Sequence, residues 1–511
     1  MPIFAALTNL VMKKQLLTFA AVLMTGTSAL AGGYLTNTNQ NVAFLRNPAQ
    51  TGTIGVHGAY SNPAGVGFLD KGWYLGLNSQ TAFQTRQIDS DYAPFALGLQ
   101  NEGKSKKHFE GRTTVPVIPS FDLAYVHDEH WFGSFHFGIT SGGGKANFKD
   151  GLGSFESQIA IIPAALNGIV GAQAFMYDSK IKMLGEQYTF SAQLNFGYRL
   201  NDNLSFSLGI RGNYLKNHFD ASIKDIQFSY AGGPAAPAAT VLIGALGNMG
   251  MNLSPEQQAA VQGMFADREL DCSQSAIAFN PVIGIDYKIG GLNLAARYEF
   301  NTSVRLKNKT AEGKDAGLEQ YKDGRDDLAA DIPAIFAFGA QYSILENLRV
   351  SAGANYYFDK QSKVYNSASG KNDKTDLING NSFELLGGIE WDPFKQLTVG
   401  CGVQYAHFDW GEDAAFLTDQ SFNPNSLSVG AGIRYNVTEK IGIDLCVFKS
   451  FYSHLTKKMD DYNGVGAATA AKLGALGLPA GTLDPSKLII PGSDRFYRTS
   501  FVFGVGLNFA F

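Results

Sequence analysis

FVFGVGLNFAF, residues 501–511, can be split into two faces. Side chains alternate along a strand, so Phe501, Phe503, Val505, Leu507, Phe509 and Phe511 share one side. Val502, Gly504, Gly506, Asn508 and Ala510 share the other. A ladder of large apolar groups suits hydrocarbon and a small or polar face suits a lumen, so the stretch predicts a membrane-spanning β-strand.

The same pattern runs back through the chain. Tyr188, Phe190, Ala192, Leu194, Phe196 and Tyr198 alternate with Ser191, Gln193, Asn195 and Arg199, and Leu204, Phe206, Leu208, Ile210 and Tyr214 alternate with Ser205, Ser207, Arg211 and Asn213. Leu292–Phe300 and Leu348–Phe358 repeat it, with Arg297, Glu299, Arg349 and Asn355 on the polar side. A charge aimed at lipid costs ~2–4 kcal/mol near the midplane, so these rows imply a wet or plugged interior. The spacing predicts 14 strands, starting near Trp73, Phe121, Trp131, Met183, Leu204, Ser275, Leu292, Ile332, Leu348, Ser382, Leu397, Leu427, Ile441 and Phe496. Short turns are expected at Asp128–His130, Asn201–Asn203, Gly290–Gly291, Leu345–Asn347, Asp392–Gln396 and Val437–Lys440, each after an even-numbered strand. That alternation of short and long connections is the topology of an antiparallel all-β transmembrane barrel. A soluble protein of repeated hairpins needs neither outward rows this apolar nor an aromatic last residue.

Composition agrees with one large closed sheet. The chain has 511 residues, 17% of them charged, with 58 Gly and 37 Phe, and no obvious linker divides it. No run approaches the ~18 apolar residues of a spanning helix. The segment MKKQLLTFAAVLMTGTSALA from Met12 has a basic start, an apolar run and small residues at Ala29 and Ala31, the pattern of an export signal. The expected divisions are therefore a signal peptide over 1–31 with its start at Met12, an N-terminal plug over 32–71, and a barrel over 72–511. Three cysteines, Cys272, Cys401 and Cys446, leave no even framework, and Cys401 on an outward row should not pair with Cys446 on an inward one. The formal charge of −4 comes without a basic stripe, which argues against nucleic acid.

Between Gly32 and the first strand lie residues that do not alternate and contain Asn47-Pro48-Ala49 and Asn62-Pro63-Ala64-Gly65. Asn-Pro favours turns because proline restricts the residue before it. This segment is too polar for lipid and suits the inside of a barrel. GAYSNPAG (58–65) followed by VGFLDKGWYLGLN (66–78) resembles the FadL family of outer-membrane transporters of long-chain fatty acids and other hydrophobic compounds. TNTNQNVAFLRNPA (36–49) resembles its Bacteroidetes branch. The acidic stretch that separates GAY from NPAG in many members is missing here.

The resemblance implies a 14-stranded barrel with an N-terminal hatch in the outer membrane of a Gram-negative bacterium, without cofactor. Ligand would be captured by apolar loops, pass to a luminal pocket and leave sideways at a kink in the third strand. Gly133, Gly138, Gly142 and Gly143 mark that strand here, which is expected to run from Trp131 to Thr140 and end in the glycines after Ser141. Glycines permit bulges; a plain loop hinge reads equally well. The pair Phe509 and Phe511 resembles the signal read by the barrel assembly machinery.

Three outer segments are unusually apolar: Ser157–Met176, Ala238–Met251 and Ala467–Leu478. They could form a binding groove for a hydrophobic small molecule, since large apolar patches mark binding surfaces, or pack on one another as a cap. A fatty-acid carboxylate would suit a luminal arginine. Among Arg199, Arg211, Arg297, Arg349 and Arg434, the candidates are Arg211 and Arg297, deep in their strands, although the inward acids Asp286, Glu299, Glu390 and Asp444 compete for them. The eight histidines are scattered, with no metal-ligand spacing, and no nucleophile turn or P-loop occurs. The chain therefore reads as a passive transporter in contact with outer-membrane lipid, not an enzyme. A secretion shuttle of the same fold or a general porin are the other readings.

Overall fold

The computed structural model describes residues 36–170, 174–248, 250, 252–366, 370–372, 377–412, 415–475 and 485–511. The expected signal peptide lies outside the described residues. Fourteen antiparallel strands form a closed barrel. The first seven are β1 Gly72–Tyr92, β2 Lys106–Val126, β3 Trp131–Phe148, β4 Phe175–Arg199, β5 Leu204–Tyr230, β6 Arg268–Ile289 and β7 Leu292–Glu299. β7 resumes as Arg305–Asp315, also along β6. The rest are β8 Ile335–Leu345, β9 Leu348–Tyr357, β10 Phe383–Phe394, β11 Leu397–His407, β12 Ser426–Thr438, β13 Ile441–Tyr452 and β14 Gly492–Ala510. The barrel closes where β14 pairs with β1, from Tyr74 opposite Ala510 to Tyr92 opposite Gly492.

Parity holds along the wall. Leu194 and Phe196 are 60% and 61% exposed, whereas Gln193 between their neighbours is 0% exposed. An apolar exterior around a polar interior inverts a soluble core, as a wall facing hydrocarbon requires. Every short turn falls at one end of the barrel, after an even-numbered strand, as the spacing predicts. Cys401 is exposed, Cys272 and Cys446 are buried, and all three are free.

Several strands begin earlier than the alternation suggests. β2 starts at Lys106 instead of near Phe121, β4 at Phe175 instead of near Met183, β6 at Arg268 instead of near Ser275, and β14 at Gly492 instead of near Phe496. The 27 residues of β5 extend well beyond a hydrocarbon layer. Above that layer the outward face turns polar, as at Thr85 opposite Thr499, so side-chain contrast fades while the backbone ladder continues.

Two bodies fill the barrel. At the short-turn end sits the plug: residues 40–53 and 56–67 are buried, with a helix α1 over Val42–Arg46 and a single turn α2 over Gly58–Ser61. At the other end the loops form a cap around helix α3, Gly153–Val170, joined by α4 Ala238–Asn248, α5 Pro255–Met264 and α6 Val465–Ala475. α3 is mostly apolar and is buried, with Phe155, Ile159, Ile161 and Leu166 in one core with Phe109, Phe175 and Phe228 of the wall, while Glu156 in its first turn pairs with Lys107 at 2.5 Å. Of the two readings of the apolar loops, a groove or a cap, their described residues pack on one another as a cap.

Candidate functional site: a cavity between plug, cap and wall seam

The plug is tied to the wall by two copies of one device. In each Asn-Pro-Ala turn the asparagine Oδ1 caps its own backbone: Asn47 accepts from the N–H of Ala49 at 3.2 Å, and Asn62 from that of Gly65 at 3.0 Å. The freed Nδ2 reaches a wall carboxylate, Glu390 at 3.3 Å for Asn47 and Asp286 for Asn62. Ser205 adds a 2.8 Å bond to the carbonyl of Ala64, and Gly402 of β11 leaves the space that Pro48 occupies. Arg46, at the end of α1, donates to Glu390 at 2.7 Å and to Asp444, which also receives Arg434 at 2.8 Å. Arg46 was not singled out from the sequence, where one cation after an apolar run looks like an ordinary helix end. Two inward acids facing that level of the lumen were the available signal.

Arg211 and Arg297 are bound into this anchoring system. Both flank the ring of Tyr60, at 4.8 Å and 4.7 Å from its centroid. Arg211 donates to Gln193 at 2.9 Å and to Glu299; Arg297 pairs with Glu299 at 3.0 Å and donates to the carbonyl of Tyr60. Both share the one carboxylate of Glu299, and neither borders the cavity between plug and cap. Tyr60 of GAYSNPAG is thus held as a ring between two guanidinium groups.

The wall is not continuous between β2 and β3. They pair from Phe121 opposite Phe137 to Val126 opposite Phe132, and again at Gly111 opposite Phe148 and Arg112 opposite Asn147. Between these rungs, residues 113–120 have no ladder partner in β3. Two causes are visible. Pro116 and Pro119 have no N–H to offer a neighbouring strand. On β3 the register with β4 slips between Ile139 and Ser141 and again between Gly142 and Gly144, with Gly142 at φ +83°, and Gly143 lies at the second slip. β3 does not end at its glycines as expected but runs through them, bent, to Phe148. Gly133 lies below this stretch, in the paired part. The prolines were the missed signal, because they stand on the partner strand.

The plug supplies the bonds that β3 lacks. Asn37 donates its N–H to the carbonyl of Thr140 at 2.7 Å, and Gln40 Nε2 donates to that of Ile139 at 2.9 Å. Gly138 leaves room for the Gln40 side chain. Just below the seam, the buried rung Asp122–His136 closes with a 2.8 Å contact, and His136 Nε2 lies 3.3 Å from Gln40 Oε1.

Between plug and cap lies a cavity of ≈ 360 Å³. Thr38 and Phe44 of the plug border it on one side and Leu152, Trp410 and Phe422 of the cap on the other. It reaches the seam at Thr113, Val115, Ile118, Ile139, Ser141 and Gly142. Its size suits a small ligand. Arg86 of β1 and Arg498 of β14 also line it, directly opposite each other in the closing ladder. Arg86 donates to the carbonyl of Phe422 at 3.1 Å; Arg498 donates to Asn423 at 2.6 Å and to Gln84 at 3.3 Å. The Nε of each is buried without a partner, and neither has an ion pair among the described residues. These two neighbouring guanidinium groups thus donate only to neutral acceptors.

No family model and no curated protein sequence matches the chain. Solved structures do. The crystal structure of a Pseudomonas aeruginosa FadL homologue superposes with a TM-score of 0.59 at 14% identity, covering 94% of this chain and 99% of that one. This chain has the FadL-like fold. A deletion mutant of the TodX monoaromatic hydrocarbon channel superposes on the FadL-like barrel with a TM-score of 0.53 at 14% identity, covering 92% and 99% of the two chains. At this identity the likeness is one of architecture.

Proposed function

We propose that the protein is a passive outer-membrane transporter of hydrophobic small molecules, with a preference for amphiphiles that carry a carboxylate, as long-chain fatty acids do. The observation that carries this reading is the cavity: bounded by plug and cap, walled by Phe44, Val115, Ile118, Phe448 and Val502, and continuous with the seam between β2 and β3. A hydrophobic ligand leaving sideways at the seam would enter hydrocarbon without crossing water, so no energy source is needed. The mixed lining is unlike a porin constriction, which is ringed by charge and hydroxyl groups. Arg86 and Arg498 replace Arg211 and Arg297 as the carboxylate clamp. They favour a fatty acid over an uncharged aromatic hydrocarbon. Apolar outward residues face lipid, and Phe509 and Phe511 remain accessible to an assembly machinery from the barrel's outer surface.

The test uses purified protein with a fatty acid and an uncharged hydrocarbon of equal length. R86Q/R498Q is expected to weaken fatty-acid binding by about 10- to 100-fold, the worth of one or two charge-assisted bonds, and to leave the hydrocarbon unchanged. P116V/P119V, which restores two backbone donors to β2, is expected to slow release into lipid without changing affinity. Equal loss for both ligands would remove the clamp; unchanged release would remove the lateral path.

A further inference from the structure

Above the lipid-facing band the outward charges are unevenly distributed. On β5 the exposed run of Phe206, Leu208, Ile210 and Tyr214 gives way to Lys216, and on β6 Phe279 and Ile277 give way to Ser275. Ladder pairing carries this level across the wall in two adjacent rows. The lower is Tyr188, Lys216, Ser275 and Lys307; the upper is Lys145, Glu186, His218, Ser273 and Lys309. Lys145, Lys216, Lys307 and Lys309 are exposed, and none of them has an ion-pair partner among the described residues. Lysines farther out do have partners: Lys180 with Asp225 at 2.7 Å and Lys182 with Asp220 at 3.2 Å. Glu186 is the only acid in the two rows. On the other side of the barrel the level above Phe83 and Phe501 carries Thr85 and Thr499, bonded to each other at 2.7 Å, with Arg112 opposite Thr85 paired to Glu110 and the single Lys449 opposite Phe501.

Four unpaired ammonium groups at the edge of an apolar band repel one another unless anions lie between them. At that depth the available anions are lipid headgroups, and each lysine near an anionic surface gains ~1 kcal/mol. Resting on the membrane reading above, but not on what the cavity carries, we propose that the wall from β3 to the β7 continuation binds the phosphate groups of a phosphorylated outer-leaflet lipid. Its acyl chains would lie on Tyr214, Ile277 and Phe279. The lysines sit on both sides of the Ser273–Ser275 strand edge, so one headgroup with two phosphates can be held by both rows.

The experiment is native mass spectrometry of the full chain released from phosphatidylcholine nanodiscs doped with bis-phosphorylated lipid A, its dephosphorylated form, or inorganic phosphate. The wild type is expected to retain lipid A at least about tenfold better than K145Q/K216Q/K307Q/K309Q, and the dephosphorylated lipid equally poorly in both. Fatty-acid binding in the cavity should be the same in both proteins, which separates this proposal from the transport reading. If the fourfold variant fails to show heat-modifiable folding, K307Q/K309Q and K216Q serve in its place. Equal retention of lipid A by wild type and variants, or its displacement by inorganic phosphate alone, would overturn the proposal.

Discussion

The plug and the cap close the same barrel by opposite chemistry. The plug is polar, and its hold is a set of named bonds: Arg46 to Glu390 and Asp444, Asn47 to Glu390, Asn62 to Asp286. The cap is apolar, and its hold is area: α3 with Phe109, Phe175, Phe228 and Leu270. A bonded plug can shift by exchanging a few partners and yet has one resting register. A hydrophobic cap tolerates sliding but resists wetting. The difference teaches where movement is inexpensive. The cavity lies between them, and its seam is bound by the plug through Asn37 and Gln40, so a ligand that disturbs the plug's leading residues acts on the seam directly.

The comparison can be broken from either side. Arg46→Ala leaves Glu390 and the Arg434–Asp444 pair without a buried cation, a loss of about 3–5 kcal/mol, and bilayer recordings should show frequent large openings where the wild type stays closed. Arg46→Lys should restore part of the closure. Phe155→Ala removes a fully packed ring from the cap at about 3–5 kcal/mol, and should expose the outer loops to protease while conductance stays low. If the cap variant opened the pore and the plug variant did not, the cap and not the plug would be the barrier. Asn62→Ala removes one turn cap and one wall bond, about 1–2 kcal/mol, and should speed hydrogen exchange over residues 53–66 without exposing the loops.

Much of this was legible in the sequence because a membrane wall imposes a strict period. Leu194 and Gln193, or Leu208 and Ser207, could be assigned to opposite faces from spacing alone, and the short turns followed. The Asn-Pro-Ala turns were recognisable as turns, but their second bond was not, since Glu390 and Asp286 lie far along the chain. Arg86 and Arg498 meet only because the first and last strands close the ring, a contact that local pattern does not carry. The apolar loops were read as a groove or a cap, and only packing decides between those. The glycines of β3 signal the seam in the sequence, yet it depends equally on Pro116 and Pro119 across from them.

The smallest effect concerns pH, and it separates the bonded plug from the apolar cap without mutation. Thr53 Oγ1 donates to the carbonyl of Gln50 at 2.8 Å, so its 2.7 Å contact with His57 Nε2 must be a bond that the imidazole donates. The other ring nitrogen, Nδ1, is then an unprotonated atom, buried with no partner. Protonating it would place a charge where no acceptor stands; burial, and next the charge of Arg434, lower its pKa from 6.5 to about 4. A lowered folded-state value makes the neutral form a source of stability that is complete above the unfolded pKa and is lost as pH falls from 6.5 toward 4. At pH 6 the loss is about 1 kcal/mol, since the unfolded imidazole is then mostly charged and the folded one is not. Hydrogen exchange of residues 50–60 should therefore be constant above pH 7 after correction for intrinsic rates and accelerate about fivefold at pH 6, while α3 is unaffected. His57→Gln keeps a donor to Thr53 and has no charge to gain, so it should flatten the plug's profile; a profile that stays steep in that variant would assign the pH response to the carboxylates around Arg46 instead.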